Sequence, residues 1–133
     1  MTKLLLDTCA ILFLSVDDAR VTADVRRVFT ECEEVYVSAI TVAELACLSR
    51  RGRIDLGMHW KPWFRNAVKL NQWQVLPVTW EVMEEAYSLP DTFHADPVDR
   101  IFVATSRIHK IPLLTPDRKI LAYPHVEAFW DGD

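Results

Sequence analysis

Asp7, Glu44, Asp99 and Asp117 are the residues of this chain best placed to do chemistry. Each lies just past a run that reads as a strand, or in the first turn of a helix following one. In an open α/β sheet, the loops at the carboxyl ends of the strands form the crevice where ligands bind. Carboxylates at those positions share one edge. Like charges brought within a few ångströms repel and would force protonation, so a cluster of four acids at neutral pH calls for a cation. Oxygen donors without a histidine or cysteine partner suit a hard ion, Mg²⁺ or Mn²⁺. Sites of that kind use an ion-activated water to cleave phosphodiesters, often with two ions about 3.5–4 Å apart.

Each acid also has a local explanation. Asp7 ends the run Lys3 to Leu6 and is placed to cap the next helix, as is Thr8. Glu44 closes Thr41-Val42-Ala43-Glu44, a capping box in which the glutamate reaches back to the helix start. Asp96 precedes Pro97 and is the natural N-cap of the helix that Pro97 opens. Asp99 sits in that helix's first turn, where the dipole favours an acid, beside the apolar stripe Val98, Ile101, Phe102, Thr105 and Ile108. Asp117 follows Leu113 to Pro116 in a turn, where aspartate is common. The functional reading rests on the set, with Asp96 as a possible supporting acid.

The elements that must position these groups alternate along the chain. Lys3 to Leu6 reads as a buried strand, and Cys9 to Val16 as a short helix. Asp17 and Asp18 are N-cap candidates for a helix through about Cys32, with Val21, Val25, Val28 and Phe29 on one face. Val35 to Val37 is a strand. Helices follow at Thr41 to Arg50, stopped near Gly52, and at about Gly57 to Leu70. Gln74 to Val78 is a strand, and Thr79 caps a helix to about Leu89. Pro90 to Asp96 is a loop, and Asp96-Pro97 opens a helix to about His109. Pro112 to Thr115 is a strand, and a last one lies around Val126 to Phe129. Strands separated by helices predict an α/β fold, a parallel sheet with helices on both faces.

Bulk properties narrow the classes. A chain of 133 residues suits one domain spanning 1–133. No apolar run approaches the roughly 20 residues of a membrane span, and Asp7 interrupts the leucines where a signal peptide would continue. Cys9, Cys32 and Cys47 form no CxxC, so reduced thiols and a cytoplasmic location are expected. His59, His94, His109 and His125 lack zinc spacing. Three glycines leave no phosphate-cradling loop. A net charge of −4 argues against broad, charge-driven nucleic-acid binding, though not against a substrate held through metal and a few local cations.

Asp7-Thr8 after a leucine strand, Glu44 within Thr-Val-Ala-Glu-Leu, His94-Ala95-Asp96-Pro97-Val98-Asp99-Arg100 and Leu113-Leu114-Thr115-Pro116-Asp117-Arg118 together resemble PIN-domain ribonucleases. The likeness covers nearly the whole chain, and the size is similar to that of VapC-type toxins of bacterial toxin–antitoxin pairs. The resemblance implies a three-layer α/β/α sandwich around a mostly parallel sheet. It implies one or two Mg²⁺ or Mn²⁺ ions on Asp7, Glu44, Asp99 and Asp117, with Thr8 and Thr115 as polar support. The implied activity is metal-dependent cleavage of RNA, inhibited by a small cognate antitoxin protein.

Arg100 and Arg118 flank the acids and are candidates to hold a scissile phosphate. Arg107 and Lys110 read as a solvated helix face, and Arg50, Arg51 and Arg53 as complements to a helix dipole. Trp60, Trp63 and Phe64 share helical spacing, with Trp73 and Trp80 nearby. Such stripes are mostly core, but five tryptophans point to an exposed apolar patch for a homodimer or an antitoxin helix. His94 reads as a loop hydrogen-bonder. The alternative to an enzyme is a non-catalytic RNA- or protein-binding module. A phosphotransfer enzyme with Asp7 as nucleophile would want a second aspartate, and Asp7-Thr8-Cys9 lacks one.

Overall fold

Three consecutive leucines on β1 (Lys3–Leu6) are completely buried, which places this strand at the centre of the molecule. The computed structural model describes residues 2–131. β1 pairs in parallel with β2 (Glu34–Ser38) on one side and with β4 (Leu113–Leu114) on the other. β3 (Gln74–Leu76) extends the sheet beyond β2, and β5 (Ala128–Phe129) extends it beyond β4. The order is therefore β3-β2-β1-β4-β5, parallel at every pairing.

That order dictates the layers. Parallel crossovers are right-handed, so steps in opposite directions along the sheet put their helices on opposite faces. The chain moves outward from β1 to β3 through α1 (Thr8–Ser15), α2 (Ala23–Glu31), α3 (Ile40–Arg50) and α4 (Trp60–Asn71). It then returns past β1 to β4 and β5 through α5 (Trp80–Ala86), α6 (Pro97–His109) and α7 (Arg118–Leu121). The period-two pleat divides the strand side chains to match. Leu4, Leu6, Val37 and Leu114 pack with Ile11, Val25, Leu45 and Phe64 on one face. Leu5, Tyr36 and Leu113 pack with Phe102, Val103 and Ile120 on the other. α5 lies on α6 through Val82, Ala86, Ile101 and Ala104. The result is the expected three-layer α/β/α sandwich.

Local signals explain most boundaries, and three expectations need correction. Thr79 and Asp96 cap α5 and α6 as predicted, with Asp96 accepting from the Val98 and Asp99 amides. Asp17 and Asp18 do not cap α2; Thr22 does, through a bond from the Val25 amide. Asp17 instead takes a left-handed turn (φ 52°), and Asp18 accepts from the Arg20 amide and guanidinium. The capping box at Thr41 also fails, because α3 starts earlier and its N-cap, Ala39, has no side-chain bond. Finally, the turn at Asp117 is the N-cap of the one-turn helix α7, whose Lys119 and Ile120 amides bond to its Oδ1.

The tryptophans divide between core and surface. Trp73 and Trp130 are buried, and Trp60 and Trp63 pack against the core. Trp80 is 71% exposed, with Met83 and Tyr87 exposed further along α5. Among the described residues, no helix is long and apolar enough to cross a membrane.

Candidate active site

The chain reverses its direction along the sheet between β1 and β4, the switch point at which open α/β sheets gather ligands beyond their carboxyl ends. Asp7 leaves β1 there and Thr115 leaves β4. Asp7 caps α1: its Oδ1 accepts from the Ala10 amide at 2.8 Å, and its Oδ2 accepts from the Thr115 hydroxyl. Thr115 Oγ1 accepts in turn from the Asp117 amide at 3.0 Å. One buried hydroxyl thus ties together the loops that carry two of the acids.

Glu44 comes from the neighbouring loop by way of α3. Because α3 begins at Ile40, Thr41 lies within the helix, fully buried, and its hydroxyl is 3.0 Å from that of Thr8. The Thr8 hydroxyl also faces the Glu44 carboxyl and opposes the effect of burial on it. Glu44 is therefore directed to the site and not back to the start of its helix. Asp99 enters from the first turn of α6, with its Oδ2 3.0 Å from His94 Nε2. His94 Nδ1 faces the Asp96 amide at 3.4 Å, so in the neutral ring the proton lies on Nε2, toward Asp99. The approach is oblique, and Nε2 is enclosed without a well-formed hydrogen bond. We read the contact as electrostatic.

The electrostatics show that the acids share one neighbourhood. Burial pushes Asp7 up to about 7, with the charges of Glu44 and Asp117 adding to the rise and Thr115 and Ala10 opposing it. Burial also pushes Asp99 up to about 7, reinforced by Asp96, Asp117, Asp7 and Glu44. Glu44 is raised by burial and by Asp96, with Thr8 opposing the rise. The thiol of Cys9, beside Asp7, is pushed up to about 12 by burial and by the same four acids.

The acids are not packed as tightly as the argument from repulsion required. Among the described residues, no three Asp, Glu, His or Cys side chains are gathered closely enough to grip an ion as they stand. The acids also have neighbours in the chain itself: Thr115 and Ala10 donate to Asp7, the α7 amides donate to Asp117, Thr8 faces Glu44, and His94 Nε2 lies 3.0 Å from Asp99. A hard divalent ion still fits the donor set. Magnesium keeps several of its waters and is commonly held by one or two carboxylates together with substrate phosphate, without a closed protein cage.

The flanking cations separate. Arg100 does not face the crevice freely: its Nη1 bonds to the Ala86 carbonyl at 3.0 Å and its Nη2 to the Phe93 carbonyl at 2.9 Å. Its guanidinium also lies over Tyr87 and Phe93. That engagement removes it from the candidates for phosphate contact and makes it the clamp of the loop before α6. Arg107, expected on a solvated face, pairs with Glu85 at 2.6 Å and bonds to the His125 carbonyl. Arg118 is exposed and lines the acid crevice with Lys119, Asp99 and Asp117. The sequence reads Thr41 as a helix cap and His94 as a loop hydrogen-bonder, and the structure sets them beside Thr8 and Asp99. Their only pointer to the site was proximity in the chain to Glu44 and Asp99.

A parallel sheet between two helical layers, with carboxylates near its switch point, defines a three-layer α/β domain with an acidic site. The comparisons carry that further. The model of the PIN domain family matches residues 4–126, and the chain belongs to this family. It is 30% identical over 125 residues to Ribonuclease VapC22 of Mycobacterium tuberculosis (strain ATCC 25618 / H37Rv), covering 94% of this chain and 95% of that protein. The fold is shared with a toxin-antitoxin complex from Klebsiella pneumoniae (TM-score 0.65, 16% identity, 94% of each chain). It is shared also with VapBC2 from Rickettsia felis bound to a DNA fragment from their promoter (TM-score 0.67, 11% identity, 98% and 100% of the two chains).

Proposed function

We propose that the chain, acting as one domain, is a metal-dependent endoribonuclease and the toxin of a toxin–antitoxin pair. The observation that supports the reading is the mutual electrostatic influence of Asp7, Glu44, Asp99 and Asp117, with Asp99 and Asp117 lining one crevice. The family and the ribonuclease relative support the reaction class. The toxin-antitoxin and VapBC structures that share the fold support an antitoxin partner.

In this reading Asp7, Glu44, Asp99 and Asp117 hold one or two Mg²⁺ or Mn²⁺ ions, with Asp96 in support. When bound, the ion supplies positive charge to the phosphodiester and acidifies a water for attack. The chain's own groups do the rest. Thr115 and the Ala10 amide fix the Asp7 carboxyl, and Thr8 faces Glu44. Arg118 holds the phosphate. With no cation present, Asp7 and Asp99 each carry a proton for part of the time near neutral pH. To hold an ion, Asp7 and Asp99 would each have to give up that proton. The exposed face of α5 around Trp80 supports pairing of two copies, and the free cysteines fit the cytoplasm.

The test is cleavage of a structured RNA by the purified chain with Mg²⁺ or Mn²⁺, with EDTA, and after Asp99→Asn. Cleavage that needs the ion and the acid is expected. Undiminished cleavage by Asp99→Asn would overturn the role of Asp99. RNA binding that survives EDTA, without cleavage under any condition, would favour the non-catalytic module.

A further inference from the structure

Asp117 and Arg118 line two clefts. One, of about 590 Å³, holds His94, Asp96 and Asp99. The other, of about 1010 Å³, leads to Cys9, Phe13, Arg20 and Trp130. We propose that the larger cleft is a nucleotide subsite. Resting on the ribonuclease reading above, it takes the nucleotide next to the scissile phosphate, with the base stacked on the Arg20 guanidinium.

The wall of this cleft is built in advance. Arg20 Nε and Nη2 hold the Asp18 carboxylate at 2.9 and 2.8 Å, and the guanidinium lies 3.8 Å from the centre of the Phe13 ring. Trp130 meets Phe13 edge to face and donates its Nε1–H to the Arg20 carbonyl at 3.0 Å. An arginine normally loses much rotamer freedom when it is ordered for binding. Here the plane is fixed beforehand while the side chain stays 65% exposed. Phe13 backs the guanidinium, and the exposed part of the side chain is left for a base to stack on.

Charge decides which part of a nucleotide belongs there. Asp18 neutralises Arg20, and Asp117 and Asp131 also line the cleft, so the middle of it repels a phosphate. A neutral base stacks well on a guanidinium plane, a common way of holding unpaired RNA bases. Leu121 and Ala128 supply apolar walls beside it. Arg118, at the junction with the acid crevice, is the cation placed for the adjoining phosphate. A strand crossing the acids thus passes directly into this cleft.

The experiment measures binding of a fluorescently labelled, single-stranded octaribonucleotide to the Asp99→Asn chain with Mg²⁺, by anisotropy. Loss of one base stack in Arg20→Ala is expected to weaken binding about tenfold. Arg20→Lys should weaken it similarly, because lysine keeps the charge and loses the plane. An abasic oligonucleotide of the same length should bind the parent as weakly as the intact RNA binds Arg20→Ala. Unchanged affinity in Arg20→Ala, full rescue by Arg20→Lys, or no RNA binding by the parent would each overturn the subsite. The expected binding pattern without cleavage by the wild-type chain would sink the ribonuclease reading alone. Ion-dependent cleavage with Arg20 immaterial would sink only the subsite.

Discussion

The hydroxyl of Thr115 donates to Oδ2 of Asp7, joining the ends of β4 and β1 across 108 residues of sequence. It is buried, and it opposes the effect of burial on the Asp7 carboxyl. Thr115→Val removes the donor and leaves a buried oxygen unsatisfied, which costs about 1–3 kcal/mol. A lower melting temperature is expected for Thr115→Val, and Thr115→Ser, which keeps the hydroxyl, should recover most of it.

Asp7→Asn, Glu44→Gln and Asp99→Asn each replace a carboxylate proposed as an ion ligand by a neutral group of the same shape. Each should reduce Mg²⁺-dependent RNA cleavage at least a hundredfold while leaving circular dichroism unchanged. Asparagine at position 7 is itself a good N-cap, so α1 should persist.

The metal-free protein should lose stability as the pH rises from about 4 to about 7. In the folded chain Asp7 and Asp99 titrate near 7, well above the ordinary aspartate value of 3.8, so the native state binds more protons than the unfolded chain in that interval. The advantage is complete below about pH 4 and gone above about pH 7. Denaturant melts in EDTA should show the slope, and it should flatten in Asp7→Asn. A melt series on that variant as steep as the parent's would contradict the assignment.

Arg100→Lys should not behave as a conservative change. Lysine cannot reach both the Ala86 and Phe93 carbonyls with a planar fork, so the loop before α6 loses its clamp. Hydrogen bonds from a charged donor are worth about 1.5–3 kcal/mol, and a stability loss toward the lower end is expected. Faster amide exchange across residues 90–96 would locate the effect.

Arg118→Ala should raise KM for RNA with little change in melting temperature. Its side chain is exposed, so stability has little hold on it, whereas the substrate would lose the proposed phosphate contact. A drop in kcat with KM unchanged would place Arg118 elsewhere in the mechanism.

Much of this was legible in the one-dimensional chain, for a simple reason. Strands, helices and caps are set by neighbours within a few residues, so Leu4 to Leu6, Thr79 and Asp96-Pro97 announced their roles unaided. The alternation of strands and helices was sufficient for a parallel sheet with helices on both faces. The same locality misled at Thr41 and at Asp17-Asp18, where a good local cap was outbid by packing and by a turn.

Tertiary structure alone decided which polar groups meet. The pairing of Thr8 with Thr41 depends on β1 and β2 lying side by side, and that of Thr115 with Asp7 on β4 lying at the other flank of β1. The bond from Trp130 to the Arg20 carbonyl joins residues 110 apart in sequence, and that from Arg100 to the Ala86 carbonyl joins residues 14 apart. Periodicity and capping act over one or two turns of chain. Side-chain partners across the sheet are selected only when the whole core closes and brings those loops to one edge.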